Sequence, residues 1–422
     1  MLDLLITHAT LITCASDGPK RGDAMRDIGL MEDGALAIEN GLIIDVGRSD
    51  DLLRRYEVLG DFDVMDVRGK VVCPGFVDAH THVVYAGDRA AEFEMRLQGK
   101  TYQEIMAAGG GILSTMEQVR KATLEGLVRL TYPRLNEMLA LGTTTAEIKT
   151  GYGLNLVSEI EMLLAIAMLD QLHPMTIIPT FLGAHAIPPE YQGRAEEFTQ
   201  YIIDKMIPTA ANWFRDSHFA AQNTPFFIDV FCEQNAFNLD QAQRILQAGA
   251  AYGMQIKAHV DEFVNLGGAK MAVDLGAVSI DHLDMTSAEE VTHLAASDTV
   301  SVIIPAVNFN FGSTHFADAR GMIDAGAAVA LATDYNPGSA PCPSMPLVMA
   351  IACRYQHLLP SEALNASTIN AAYAVGMGDK VGSIQVGKQA DILIINAPDY
   401  RHLAYHFGGN LVDKVIKHGK IL

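Results

Sequence analysis

Apolar runs alternate with longer amphipathic stretches through the middle of the chain. From Gly75 onward, each short apolar run is followed by a stretch, such as 158–172 or 240–252, whose apolar residues recur at helical spacing. Regular alternation of strand and helix is typical of a parallel sheet with crossover helices, and eight strands favour closure into a barrel. The eight predicted strands are 75–82, 143–149, 176–185, 227–233, 255–262, 278–283, 300–306 and 328–334.

The two ends of the chain show a different pattern. Residues 2–73 contain short alternating or apolar runs separated by turn-rich pieces such as Ser16-Asp17-Gly18-Pro19. Near the other end, residues 382–395 contain a turn followed by an apolar run that is typical of a buried strand. We therefore predict an α/β fold with a TIM-like (β/α)8 barrel and a second, small β-sandwich domain formed by the N- and C-terminal segments. The expected boundaries are 1–73, 74–380 and 381–422.

Side chains that can bind a metal stand at the ends of four predicted strands. The carboxyl ends of the strands carry the catalytic groups of a (β/α)8 barrel. The side chains concerned are His80, His82, His259, Glu262, Asp281, His282 and Asp334. His80 and His82 lie two residues apart, so an extended chain points both imidazoles to the same side. Structural polar residues are the competing interpretation, but core packing does not require ligand side chains at one end of the barrel.

This set of side chains suits a metal-dependent hydrolase. Three imidazoles and one carboxylate fit a borderline divalent ion such as zinc, which lowers the pKa of a water in an open coordination position. The expected ligands are His80, His82, His259 and Asp334. A hydrolase also needs a group that moves a proton and a group that stabilises an oxyanion. The candidates for these catalytic roles are Glu262, His282 and Asp334.

The polar residues at the ends of the second and fourth predicted strands have alternative roles. Lys149 ends the second predicted strand and either forms a salt bridge with a nearby acid or acts as a ligand. Barrels that hold two ions commonly bridge them with a modified lysine at the end of strand 4, where this chain has Glu233. We therefore expect one metal ion per chain, with a bridge through Glu233 as the minor alternative.

Charge and composition narrow the range of partners. The formal net charge of −20 and the lack of a Lys/Arg-rich run argue against nucleic acid and anionic membranes as partners. An anionic substrate would need a specific Arg or Lys in its pocket. The five cysteines include no C-x-x-C pair, which fits a reduced protein. Because we find neither a basic signal-peptide region nor an apolar run of membrane-spanning length, we expect a cytoplasmic protein.

Several motifs resemble a known superfamily. The segment Pro74-Gly75-Phe76-Val77-Asp78-Ala79-His80-Thr81-His82 is similar to the strand-1 metal motif of the amidohydrolase superfamily, and residues 382–395 are similar to its returning strand. A narrower resemblance, to the imidazolonepropionase family, covers nearly the whole chain. The motifs that carry it are 142–154, 181–185, 257–263 and 333–339.

The resemblance implies a reaction and a cofactor. The family hydrolyses the ring C–N bond of 4-imidazolone-5-propanoate to N-formimidoyl-L-glutamate in histidine catabolism, with zinc or iron as the ion, and a homodimer is expected. By position, the resemblance also implies a substrate-binding set. Its members are Arg89, Tyr102, Tyr152, His185, Glu262, Asn336, Gly338 and Ser339.

Simpler interpretations of this set remain open. Arg89 supplies the planar cation that a propionate needs, but it also fits a surface arginine. Tyr102 and Tyr152 fit packing aromatics, and Asn336-Pro337-Gly338 fits ordinary turn chemistry.

Two alternative functions also remain. Another amidohydrolase, such as an aminohydrolase acting on a purine-like or triazine-like ring, would share the ligand set. A non-catalytic metal-binding scaffold on the same barrel is the second alternative, since a fold alone does not establish activity. Glu262 and His282 argue against the scaffold, because a binding protein needs no proton shuttle.

Overall fold

Two sheets organise the protein. The structure is a computed structural model that describes residues 2–57, 62–100, 104 and 110–422. The strands, numbered in chain order, are β1 (Leu4–Ile12), β2 (Leu30–Glu39), β3 (Leu42–Arg48), β4 (Asp63–Asp66), β5 (Val71–Pro74), β6 (Phe76–Asp78), β7 (Thr143–Lys149), β8 (Thr176–Ala184), β9 (Phe227–Cys232), β10 (Gln255–Val260), β11 (Ser279–His282), β12 (Val300–Ile303), β13 (Ala328–Leu331), β14 (Ile392–Ile395), β15 (Val412–Lys417) and β16 (Lys420–Ile421).

The strands β6 to β13 form the barrel. They are neighbours in chain order, and every adjacent pair is parallel. The residues that follow β6 and β13 close the ring: the amide of Asp334 donates to the carbonyl of His80 at 3.0 Å, and that of His82 to Tyr335 at 3.0 Å. The predicted (β/α)8 barrel is therefore confirmed.

Helices fill the connections between the barrel strands. The described α-helices are Ser49–Tyr56, Ala90–Leu97, Ile112–Lys121, Leu124–Ala140, Leu156–Leu172, Ala195–Tyr201, Ile207–Arg215, His218–Ala221, Leu239–Ala251, Gly268–Asp274, Ala288–Ala295, Pro305–Phe311, Ala319–Asp324, Met345–Tyr355, Pro360–Ala366, Ile369–Ala374 and His402–Tyr405, with 3-10 turns at Gly22–Arg26 and Pro189–Tyr191 and a π-turn at Ile202–Met206. None of the helices within the described ranges is long and apolar enough to cross a membrane.

Local capping explains where the two predicted helices start. The side chain of Asn155 accepts a hydrogen bond from the amide of Ser158, and Asn238 forms a capping box with Gln241. Both asparagines satisfy amide groups that the first helical turn leaves without an intrahelical partner. The helices therefore begin slightly earlier than the hydrophobic spacing alone predicts.

The second sheet joins the two ends of the chain. Its order is β16-β15-β14-β5-β1-β2-β3, with β4 also paired to β1. Strand β5 pairs antiparallel with β14, so the C-terminal segment returns to the N-terminal one as predicted. The exact domain boundaries stay a prediction.

Gly75 connects this sheet to the barrel at a point of close packing. A Cβ atom at Gly75 would lie 2.1 Å from Oγ1 of Thr144 on β7. The chain passes directly from β5 into β6 there, so both sheets depend on the absence of a side chain at this position.

We predict that Asp78 stabilises the closure of the barrel. Its carboxylate accepts hydrogen bonds from the amide of Thr333 at 3.0 Å and from the Thr333 hydroxyl at 2.5 Å. Both residues are buried. Asp78→Ala leaves both donors unpaired and should lower the free energy of unfolding by about 1–3 kcal/mol in urea denaturation. Thr333→Val removes only the hydroxyl donor and should cost less. An Asp78→Ala variant as stable as the parent would contradict this role.

Candidate metal centre and active site

The predicted ligand atoms of three histidines and one aspartate lie close to Nε2 of His82. Nε2 of His82 lies 3.2 Å from Nε2 of His80 and 3.2 Å from Nε2 of His259. Oδ1 of Asp334 lies 3.5 Å from Nε2 of both His80 and His82. All four side chains are buried. The barrel therefore brings together the complete ligand set expected from the sequence.

The four separations given above and the chemistry of these atoms suit a cation site. Ligands about 2.0–2.1 Å from a zinc ion stand roughly 3.3 Å apart in a tetrahedron, close to the separations seen here. Nδ1 of His80 donates to Asp281 and Nδ1 of His259 to Asp229, so the Nε2 lone pairs of these two rings remain available. Oδ1 of Asp334 has no hydrogen-bond partner in the described part of the chain.

Two carboxylates orient the histidines. Asp281 lies 2.7 Å from Nδ1 of His80, and Asp229 lies 3.0 Å from Nδ1 of His259. Such outer carboxylates fix the tautomer and the ring orientation of a metal ligand. Asp229 was not among the site residues predicted from the sequence. A charged residue within the otherwise apolar strand β9 is the signal that could have found it, because a buried charge needs a partner.

Burial sets the protonation of the cluster. It lowers the pKa of His80 and His82 well below the ordinary histidine value, so both rings are neutral, as metal ligands must be. Burial also raises the pKa of Asp334 well above its ordinary value. The ionised form of that carboxylate therefore gains from contact with a cation.

Glu262 and His282 lie beside the ligands. Oε2 of Glu262 is 3.8 Å from Nε2 of His282, and the His282 ring is 5.4 Å from that of His80. Neither ring nitrogen of His282 has a hydrogen-bond partner among the residues that the structure describes. Burial, together with the charges of Asp334 and other nearby acids, raises the pKa of Glu262 well above its ordinary value.

The backbone turns sharply where the barrel strands end. Asp261, His282 and Asp334 adopt left-handed φ angles of 56°, 82° and 51°. Aspartate and histidine enter this region more readily than β-branched residues do. Non-glycine residues there commonly mark functional sites, and all three lie in or next to the cluster.

His185 and Tyr152 border one side of the cluster. The His185 ring stacks on that of His82 with the centroids 4.7 Å apart, and Tyr152 lies 5.4 Å from His185. Nδ1 of His185 donates to the carbonyl of Gly151 at 3.0 Å. Burial lowers the pKa of His185 to about 3, so its ring is neutral.

Arg89 reaches the loop that follows β13. Its Nε and Nη2 atoms contact Oε2 of Glu92 at 2.9 and 2.8 Å. A Cβ atom at Gly338 would lie 2.1 Å from Nη1 of Arg89, so the guanidinium packs directly against the glycine backbone. Gly338 therefore allows this approach.

The other predicted binding residues have different settings. Asn336 accepts from the amides of Gly338 and Ser339, both at 2.8 Å, and donates to the Asp334 carbonyl, so its side chain organises the loop itself. The Ser339 hydroxyl lies 3.5 Å from Oδ2 of Asp334. Tyr102 lies outside the described residues.

Lys149 and Glu233 occupy positions apart from the four ligands. Nζ of Lys149 forms ion pairs with Glu147 at 2.7 Å and Asp229 at 2.8 Å. Burial alone would lower the Lys149 pKa, but the surrounding carboxylates raise it above the ordinary value. Glu233 accepts from the amide of Phe263 at 2.8 Å. The salt-bridge interpretation of Lys149 fits these contacts.

The chain is similar to known proteins along its whole length. The profile of the amidohydrolase family matches residues 232–422. The chain is 55% identical to an imidazolonepropionase of Chloroflexus aggregans, over 100% of this chain and 98% of the relative. It is 45% identical to that of Geobacillus kaustophilus, over 98% and 96%. Among solved structures, E. coli guanine deaminase has a TM-score of 0.72 at 15% identity, covering 100% of this chain and 99% of the other.

A zinc-containing structure has the same fold. The adenosine deaminase of Xanthomonas campestris, solved with bound zinc, gives a TM-score of 0.67 at 20% identity, covering 99% of this chain and 92% of the other. At this identity the likeness concerns the fold alone.

We predict that a divalent ion stabilises the folded protein through this cluster. Zn²⁺ added to chelator-treated protein at 100 times its dissociation constant should raise the free energy of unfolding by about 2.7 kcal/mol. His82→Ala should remove most of this gain, whereas His293→Ala, at a surface ion pair with Asp274, should retain it. The measurement is denaturant unfolding with and without Zn²⁺. An equal gain in His82→Ala and the parent would refute the site.

Proposed function

The chain belongs to the imidazolonepropionase family of amidohydrolases, and we propose that it hydrolyses the ring C–N bond of 4-imidazolone-5-propanoate to N-formimidoyl-L-glutamate. It is a hydrolase that acts on a small molecule. The observation that carries the proposed chemistry is the pair Glu262 and His282 beside a group of ligand atoms in which Nε2 of His82 lies within 3.2–3.5 Å of His80, His259 and Asp334.

The ligands of the proposed ion are His80, His82, His259 and Asp334. Their three imidazoles and single carboxylate suit zinc or iron, and we propose one such ion per chain. When bound, the ion would lower the pKa of water toward neutrality and polarise a carbonyl group. Asp229 and Asp281 keep Nδ1 of His259 and His80 engaged, so the opposite edge of each ring faces the cluster.

Glu262 is the proposed proton carrier. Its raised pKa suits a group that accepts a proton from the attacking water and then delivers it to the leaving ring nitrogen. Asp334 stands within the same cluster and is the second candidate for accepting the proton.

His282 is the proposed donor to the ring carbonyl oxygen. Burial lowers the His282 pKa well below its ordinary value, so the ring is neutral. A neutral imidazole still carries one N–H, and that group can stabilise negative charge as it develops on the oxygen.

Arg89 is the proposed partner of the propionate. Nε and Nη2 of Arg89 both contact the carboxylate of Glu92, so we assign Nη1 to the substrate carboxylate. Tyr152 and His185 border the same side of the cluster, where we propose that they contact the imidazolone ring. Ser339 would assist through Asp334, and Tyr102, Asn336 and Gly338 complete the proposed set.

We also propose a cytoplasmic homodimer without nucleic-acid or membrane partners. Five free cysteines suit a reducing compartment, and the net charge of −20 disfavours anionic polymers. The dimer stays a prediction from the family.

We predict that Glu262→Gln retains the metal and loses turnover. Gln keeps the size of the side chain but cannot accept a proton, so kcat should fall about 100- to 10,000-fold. Steady-state hydrolysis of the imidazolone and the metal content per chain are the two measurements. Glu289→Gln, at an exposed position in the first turn of Ala288–Ala295, is the matched control and should leave kcat unchanged. Near-normal turnover in Glu262→Gln would refute the proposed role.

A separate prediction concerns the substrate carboxylate. Arg89→Lys keeps the charge but removes the planar fork, so KM should rise about tenfold to a hundredfold with a smaller change in kcat. The exposed Arg129 provides the control, since Arg129→Lys should leave KM unaltered. An unchanged KM in Arg89→Lys would exclude recognition of the carboxylate through the guanidinium group of this arginine.

A further inference from the structure

A buried lysine lies beneath the histidine cluster and contacts three acids. Nζ of Lys149 is 2.7 Å from Oε1 of Glu147, 2.8 Å from Oδ2 of Asp229 and 3.4 Å from Oδ2 of Asp281. All four side chains have no solvent exposure. One ammonium group therefore joins carboxylates from the strands β7, β9 and β11.

Two of these carboxylates are the ones that orient metal ligands. Oδ2 of Asp281 contacts both Nζ of Lys149 and, at 2.7 Å, Nδ1 of His80. Oδ2 of Asp229 likewise contacts both Nζ of Lys149 and, at 3.0 Å, Nδ1 of His259. The same oxygen atom thus serves the lysine and the histidine in each case.

The lysine holds the two carboxylates against their mutual repulsion. Without an ammonium between them, buried like charges separate or recruit other groups, because removing one partner of a buried ion network leaves an uncompensated charge. A displaced Asp229 or Asp281 no longer fixes the ring that hydrogen-bonds to it. His259 and His80 would then lose the orientation that points their Nε2 atoms at one position.

We propose that Lys149 is a positioning residue that sets the affinity of the cluster for its ion by holding Asp229 and Asp281 in place. This inference rests on the proposed metal site. In this proposal Lys149 couples His80 to His259, two proposed ligands that lie far apart in the sequence.

Lys257 provides a matched control. It is also fully buried in the barrel, on β10. Its Nζ donates to the hydroxyl of Ser279 at 2.6 Å and to the carbonyl of Ala79 at 3.2 Å, and it stays 3.7 Å from Oδ1 of Asp281. Lys257→Met therefore removes a buried ammonium group without removing a hydrogen bond to either orienting carboxylate.

The test compares Zn²⁺ affinity in the full chain by competition with a chromophoric chelator. Lys149→Met should weaken binding about 10- to 100-fold, the usual effect of losing an outer-shell contact, while Lys257→Met should stay within about threefold of the parent. The Co²⁺ absorption spectrum, which reports coordination geometry, should change in Lys149→Met alone. Equal affinities and spectra in the two variants would overturn the inference.

A double-mutant cycle separates positioning from general stability. Because Lys149 acts through Asp229, Lys149→Met should weaken Zn²⁺ binding less in an Asp229→Asn background than in the parent. Full additivity would count against the proposal. If Lys149→Met fails to fold, Lys149→Gln is measured instead, since its amide can donate to one carboxylate but carries no charge. An intermediate loss supports the inference, and parental affinity overturns it.

Failure of the proposed function has a different signature. A parent chain that binds no divalent ion would refute the metal site itself. A parent that binds Zn²⁺ tightly, with Lys149→Met equal to Lys257→Met, would refute only the role of Lys149.

Discussion

Charged side chains buried inside the barrel constrain the positions of the histidines that hydrogen-bond to them. Lys149, Asp229 and Asp281 have no solvent exposure, and an unpaired charge at such a position costs several kcal/mol. Each group must therefore keep its partners, which fixes the relative register of three strands. The hydrogen bonds from His80 to Asp281 and from His259 to Asp229 then position the two histidine rings. Their orientation is thus a property of the folded barrel and does not have to be created when an ion binds.

The barrel was predictable because its strands are short apolar runs in regular alternation with helices. The interval 143–149 matches β7 residue for residue, whereas β6 and β13 stop at Asp78 and Leu331, before the predicted ends at 82 and 334. Hydrophobic periodicity shows which segments of a chain are buried. It does not show the residue at which hydrogen bonding between two strands ends. Glu262 and Asp334 follow the last residue of their strands, whereas His282 is itself the last residue of β11. The backbone of Asp334 has left the extended conformation.

The candidate site was predictable to the extent that strand ends meet at one rim. His80, His82, His259 and Asp334 were predictable as a group because all four stand at or near strand ends. Asp229 was not, because it lies within β9, which pairs with β10, and hydrogen-bonds to His259 there. The occupied state of the Asn336 side chain was not predictable either, because an Asn-Pro-Gly sequence fits both turn formation and ligand contact.

The closing seam of the barrel connects the proposed metal site with the proposed substrate-binding loops. Backbone hydrogen bonds between the segments after β6 and β13 bring Asp334 next to His80. The same two segments continue into the loops that carry Arg89 and Gly338, where the guanidinium packs on the glycine backbone. A shift at this seam would displace the proposed ligand Asp334 and the proposed carboxylate-binding Arg89 together. The hydrogen bonds of Asp78 to Thr333 join the same two segments, so the predicted stabilisation by Asp78 would also keep these two proposed sites in register.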